Sequence, residues 1–259
     1  MLTYPHIDPV FLRLGPLQFR WYGLMYILAF LSGYFVLLSG VKKKGLPLDK
    51  EKVADLVFTV AVGVILGGRL GYILFYNLGF YLEHPLKLFA VWEGGMSFHG
   101  GLTGAVVASI YFLRKHKLRF YQMADIGIMA APIGLCLGRL GNFINGELYG
   151  RVTDAPWGMV FPGGGDLPRH PSQLYEGFLE GPLMFLILYL AGKKSEGRDG
   201  VVFWTFIACY GLFRFIVEFF REPDAQIGYL LGIFSMGQLL SFPMFLAGLA
   251  MAVRCYRRR

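Results

Sequence analysis

The chain runs to 259 residues, of which 55% are hydrophobic, 17% aromatic and only 16% charged. A soluble domain carries about a quarter charged residues, so this composition excludes an ordinary soluble enzyme and points to lipid as the solvent. The formal charge of +8 invites a nucleic-acid reading, but the basic residues cluster at the ends of apolar runs, a placement that reads as membrane orientation and anionic-headgroup contact, with no nucleic acid as partner.

The N-terminal MLTYPHIDPV lacks a basic region, so no cleaved signal peptide is expected and the first apolar segment stays in the mature protein. A helix crossing the hydrocarbon core needs about 20 residues. Seven segments meet that need, at roughly 20–41, 54–77, 97–113, 121–142, 174–192, 200–220 and 234–253. The expected fold is therefore all-α, one integral membrane domain over residues 1–259. The breaks hold Lys42-Lys43-Lys44-Gly45, Glu93-Gly94-Gly95, Lys193-Lys194 and Pro223, and the 35 glycines suit close helix contact in a bilayer. The segment 143–173, rich in Gly, Pro and Asn, is long for a bare loop and is expected to fold as a small cap at the membrane surface.

Lysines and arginines orient the spans. The segments 42–52, 114–119, 193–198 and 254–259 hold sixteen of them, against six on the opposite side (Arg13, Arg20, Lys87, Arg151, Arg169 and Arg221). The positive-inside rule then predicts a periplasmic N-terminus and a cytoplasmic C-terminus. Three more, Arg69, Arg139 and Arg214, lie inside the second, fourth and sixth spans, each in the outer half. A charge in a span costs about 2.5–3.5 kcal/mol on insertion scales, and an anionic ligand is the simplest common explanation for three at one depth. Gly68-Arg69-Leu70-Gly71 recurs as Gly138-Arg139-Leu140-Gly141, and the flanking glycines let a helix or lipid approach the charge.

Other polar residues gather at the same outer face. Asn142, Asn145, Glu147 and Arg151 follow Arg139 where the fourth span ends, with the two asparagines one turn apart. Capping and turn roles fit them as well as ligand binding does, because Asn145-Gly146 is also a turn signal. His99 stands at the outer end of the third span between Phe98 and Gly100, where structural and catalytic roles are evenly matched. Tyr210, Arg214, Glu218 and Arg221 share a stripe of the sixth span. A purely structural Arg214–Glu218 pair is the main competitor there, although two arginines to one glutamate leave spare positive charge. Trp21 and Tyr22 read as interfacial residues, whereas Tyr26 lies deep enough to need a polar partner. His84 and His116 read as solvated, and His170 as a cap or loop contact. Cys136, Cys209 and Cys255 form neither a disulfide framework nor metal-ligand spacing; Cys136 is more simply a packing residue than a nucleophile.

Taken alone, these residues describe an outward-facing pocket that binds or processes an anionic lipid, since arginine recognises phosphate with a planar fork. The stretch Gly138 to Arg151 resembles the signature of the prolipoprotein diacylglyceryl transferases. Similar blocks are Arg20-Trp21-Tyr22-Gly23, Gly67 to Tyr72, His99-Gly100-Gly101, His170 to Glu176 and Arg214 to Pro223, in order along nearly the whole chain. The resemblance implies a bacterial inner-membrane enzyme with seven spans. It implies transfer of diacylglyceryl from phosphatidylglycerol to the lipobox cysteine of a preprolipoprotein, with glycerol phosphate released and no cofactor or metal. It also implies that Tyr26, His99, Arg139, Asn142, Glu147, Gly150, Tyr210, Arg214, Glu218 and Arg221 matter; the residues themselves single out all but Gly150, which is expected to permit a backbone turn. His99, Arg139 and Arg214 are the expected catalytic groups, and Asn145 joins the rest in binding substrate. A transporter would need more polar residues on the inner half of the spans, and a lipid-binding scaffold would not need the histidine.

Overall fold

The computed structural model describes residues 2–15, 17–195, 197–222, 229–230 and 234–258. A hairpin of β1 (Val10–Leu14) and β2 (Leu17–Arg20) leads into α1 (Trp21–Lys44) and α2 (Lys50–Tyr76). A short α3 (Leu78–Glu83) and 3-10 turns at Pro85–Phe89 and Val91–Glu93 precede α4 (Phe98–Lys115). Next, α5 (Phe120–Gly127) runs through a 3-10 turn into α6 (Ala131–Asn145), and α7 (Ser172–Phe178) runs through a π turn, Leu179–Leu183, into α8 (Met184–Lys194). The chain ends in α9 (Val201–Val217), the paired β3 (Tyr229–Leu230) and β4 (Phe234–Ser235), and α10 (Met236–Arg257).

Each of the seven predicted apolar segments is thus helical among the described residues. Five of the helical runs, Trp21–Lys44, Lys50–Tyr76, Phe120–Asn145, Ser172–Lys194 and Met236–Arg257, are long and apolar enough to cross a membrane. Val201–Val217 is a shorter apolar helix. Phe98–Lys115 is not among the five, because His99 at one end and Arg114-Lys115 at the other take up part of its length. The all-helical expectation fails at the N-terminus, where Gly15, at φ 58°, turns the chain between β1 and β2. Pro223, expected to break the chain after the sixth span, lies outside the described residues.

The described residues form two compact units, one of Leu37–Met123 and one of Met1–Val36 with Ala124–Arg259. In the first, α2 and α4 meet along glycines. A Cβ on Gly67 would stand 2.8 Å from the Gly104 Cα, and one on Gly71 would stand 2.8 Å from the Gly100 Cα. Close backbone approach of this kind drives helix pairing where hydrophobic burial supplies no force. Asp49 caps α2 by accepting from the Lys52 amide, and Ser97 caps α4 by accepting from the Gly100 amide.

In the second unit α9 packs on α10 through Gly211 and Gly248, while Met184, Leu188, Val202 and Phe213 form a core between α8 and α9. The Asp125 carboxylate accepts from the amides of Gly200 and Phe203 and so tethers the start of α9. The segment after α6 folds as a small body with its own core of Tyr4, Phe143, Met159 and Phe161. Bridges Val152–Arg169 and Met159–Arg169 close it, and the Tyr4 hydroxyl donates to the Phe143 carbonyl at 2.7 Å.

Candidate active site

Three helices of the second unit bring six charged side chains together. Arg139 comes from α6, Glu176 from α7, Glu180 from the π turn and Arg214 from α9, with Glu218 and Arg221 just beyond it. Glu176, fully buried, is the hub: it pairs with Arg139, with Arg214 at 3.2 Å and with Arg221 at 3.4 Å. Glu218 pairs with Arg214 at 2.5 Å and Arg221 at 3.4 Å, and accepts from the Ser235 hydroxyl at 2.7 Å. Glu180 stands 3.8 Å from the Arg139 Nε.

Local sequence explains the convergence. Gly177 lies against the Arg139 stem, where an added Cβ would make ordinary contact at 3.5 Å from the Arg139 Cβ. Gly237 leaves the room that Glu218 needs, because the Glu218 carboxyl carbon would be 2.5 Å from an added Cβ. Pro182 lacks the amide of a regular turn, and the chain after α7 adjusts through Gly181, at φ −99° and ψ −105°. The spare positive charge expected from the sixth span alone is therefore corrected: three guanidinium groups face three carboxyl groups. The added pair, Glu176 and Glu180, lies about forty residues upstream of Arg214, where spacing on one helix cannot show it.

A second polar group follows Arg139 on the same helix. Asn142 and Asn145 donate their amides to Glu147 Oε1 at 2.9 and 3.1 Å, with Asn142 buried and Glu147 exposed. Gln173 and Ser172 donate to the carbonyls of Glu147 and Leu148, tying this turn to α7. Tyr22 lies within electrostatic reach of Asn142 and Glu147, and its hydroxyl stands 3.5 Å from that of Tyr26. Tyr26 is exposed, with the Tyr22 hydroxyl as its polar neighbour. Tyr210, stacked on Phe206, sits within reach of Glu180, Arg214 and Arg139.

Several expected residues are placed differently. Arg69 is a structural clamp: its guanidinium donates to the carbonyls of Lys87, Leu88, Ala90, Gly94 and Gly95, and it packs over the Tyr81 ring. Five carbonyl acceptors account for the buried charge without an anion, so the common ligand expected for three span arginines does not extend to this one. Gly150 makes no special turn. Its amide donates to the His170 carbonyl, and a Cβ there would collide with the Phe220 carbonyl oxygen and stand 2.9 Å from the His170 Cβ. Close approach, rather than conformational freedom, is the reason for glycine. Arg151 donates to the carbonyls of Arg221 and Glu218 and so holds the turn after α9. His170 pairs with the Tyr175 hydroxyl at 3.1 Å, and burial holds its imidazole below the ordinary histidine range. His99 belongs to the other unit, exposed in the first turn of α4 and edge-on to Phe98.

The family model of prolipoprotein diacylglyceryl transferase matches residues 9–254. A phosphatidylglycerol–prolipoprotein diacylglyceryl transferase of Geobacter sulfurreducens is 68% identical over 258 residues, covering 100% of this chain and 99% of its own. Enzymes of the same name from Pseudomonas aeruginosa and Vibrio vulnificus are 55% and 52% identical. They cover 100% and 99% of this chain and 97% and 94% of their own lengths.

Proposed function

The chain belongs to the prolipoprotein diacylglyceryl transferase family, and on that premise we propose that it transfers the diacylglyceryl group of phosphatidylglycerol to the lipobox cysteine thiol of a preprolipoprotein. The observation that carries this reading is the cluster of Arg139, Arg214 and Arg221 around Glu176. Three guanidinium groups gathered at one point offer the planar donors that a phosphodiester binds.

In the reaction the thiol sulfur bonds to the glyceryl carbon that bears the phosphate, and the carbon–oxygen bond breaks with its electron pair going to the phosphate oxygen. The thiol proton leaves, and the released glycerol phosphate takes up one. A free thiol has pKa ~8.5, so a base must act near neutrality. His99 is assigned that role. Arg139 and Arg214 stabilise charge growing on the departing phosphate; one preorganised donor of this kind is worth roughly 2.7–4 kcal/mol. Glu176 and Glu218 hold the guanidinium planes in place, and Arg221 completes the cluster. Asn142, Asn145, Glu147, Tyr26 and Tyr210 line the headgroup side, where Glu147 is free to accept from the glycerol hydroxyls. Gly150 keeps the capping segment tight against the turn after α9.

The setting proposed for this chemistry is the bacterial inner membrane. The chain forms one domain with seven spans, an N-terminus in the periplasm and the site toward the outer leaflet. The test is direct. Protein reconstituted with phosphatidylglycerol and a lipobox peptide should yield a thioether-linked peptide and glycerol phosphate in equal amounts. Lipid binding or flux without that product would refute the transferase reading.

A further inference from the structure

Five of the six charged groups at the candidate site have hydrogen-bonding or close ion-pair partners, and the sixth does not. Glu180 is fully buried, neither of its carboxyl oxygens has a hydrogen-bond partner, and its nearest cation, the Arg139 Nε, is 3.8 Å away. A buried carboxylate left in that state bears the full desolvation penalty of the group. Its neighbours are known from every element packed on the π turn. Arg139 faces it from α6, where Cys136 lies against the next residue, Gly181; Glu176 faces it from α7, and Tyr210 and Arg214 from α9, with Arg221 just beyond. From α8, the titratable groups Tyr189, Lys193 and Lys194 lie at least two helical turns along the chain.

We propose that Glu180 is a positioning residue that sets the charge of the phosphate site, offsetting the charge of Arg139 when no lipid is bound and taking a proton when an anionic lipid binds. This inference rests on the phosphate-binding role proposed for the arginines. With Glu176, Glu180 and Glu218 all ionised, the three paired arginines are neutralised and nothing attracts a phosphate. With Glu180 uncharged, one positive charge is left, which matches the single negative charge of a phosphodiester. Glu176 and Glu218 cannot play this part, because each is fixed by two or more guanidinium contacts. The proton comes from solvent and returns when the lipid leaves. By reciprocal linkage, a ligand that promotes protonation binds more tightly as pH falls.

The test uses the full chain in phosphatidylcholine nanodiscs, titrated with phosphatidylglycerol. From about pH 6 to about pH 8 the wild type should lose roughly tenfold in affinity, while Glu180→Gln should lose most of that dependence. An equal pH dependence in both proteins, or none in the wild type, overturns the proposal. Should Glu180→Gln fail to fold, calorimetry in two buffers of different ionisation enthalpy counts protons taken up per lipid, using His99→Gln so that this imidazole does not contribute. Net uptake supports the assignment, and zero uptake overturns it. Thioether formation separates the two readings. Product formed with pH-independent binding defeats the Glu180 assignment alone, whereas pH-dependent binding without product defeats the transferase reading alone.

Discussion

Arg139 and Arg69 share a Gly-Arg-Leu-Gly frame, yet their side chains answer to different chemistry. Arg139 ends on the carboxyl groups of Glu176 and Glu180, while Arg69 ends on five main-chain carbonyls. Arg139→Lys keeps the charge and loses the planar fork, so its turnover should fall nearly as far as that of Arg139→Ala, about 10²–10³-fold. Arg69→Ala should instead loosen the 85–95 segment, detected as faster proteolysis there, because several buried carbonyls lose their donor. Near-normal turnover by Arg139→Ala in reconstituted membranes would remove that residue from the site. As the proposed base, His99 carries a separate expectation. His99→Gln should keep lipid binding and lose roughly 10²–10⁴-fold in turnover, a deficit that narrows as pH rises toward the thiol's own pKa. A wild-type rate at neutral pH would end the base assignment. Much of this was legible from charges in apolar spans, which marked Arg139, Arg214, Glu218 and Arg221. Glu176 was hidden because it opens a span, where a carboxylate reads as interfacial. Glu180 carried a readable signal as well: it lies inside the fifth apolar segment, one turn after Glu176, and an acid there carries the same kind of insertion cost as the arginines.

At the scale of helices, period and length were enough to locate all seven apolar segments, because lipid demands long uninterrupted runs. The hairpin before α1 was not legible, since its strands are short and its four-residue β2 has no buried face to impose alternation. The capping segment was expected from its length alone, and its core depends on Tyr4 meeting Phe143 and Phe161 across more than a hundred residues. Glycine placement is the informative signal within helices. Gly63, Gly67 and Gly71 recur every four residues on α2, opposite Gly100, Gly104 and Ala108 on α4. A side chain at Gly104 would run into the Gly63 carbonyl oxygen, so the helices must part to accept it. Gly104→Ala should destabilise the Leu37–Met123 unit by about 1–3 kcal/mol, an overpacking cost, and lower the thermal transition in detergent. Gly138→Ala is the matched control, because nothing lies within 4 Å of a Cβ there. Equal stability of the two variants would show that α2–α4 contact contributes little.

For the molecule as a whole, the distribution of basic residues makes the decisive claim. Sixteen lysines and arginines fall in the segments 42–52, 114–119, 193–198 and 254–259, each of which holds the end of a helix. Lys42, Lys43 and Lys44 close α1, Arg114 and Lys115 close α4, Lys193 and Lys194 close α8, and Arg254 and Arg257 close α10. Cations at these C-terminal ends also complement the helix dipole, worth about 0.3–1 kcal/mol each, so local helix stability offers a competing reason for them to be there. The two explanations separate at α2 and α9. Tyr76 ends α2 with no basic residue in its last turn, and α9 ends with Arg214 alone, which is taken up by Glu176 and Glu218. A dipole rule would place cations at all of these ends, whereas an orientation rule leaves the ends of inside-to-outside helices bare. The bare end of α2 supports the proposed orientation. A reporter fused after Arg259 should therefore read cytoplasmic, and one inserted within 155–168 should read periplasmic. The same readings should survive Lys193→Gln with Lys194→Gln, because the remaining segments still hold the bias. Opposite readings would reverse the topology and move the arginine cluster to the inner leaflet, away from a lipobox cysteine presented outside.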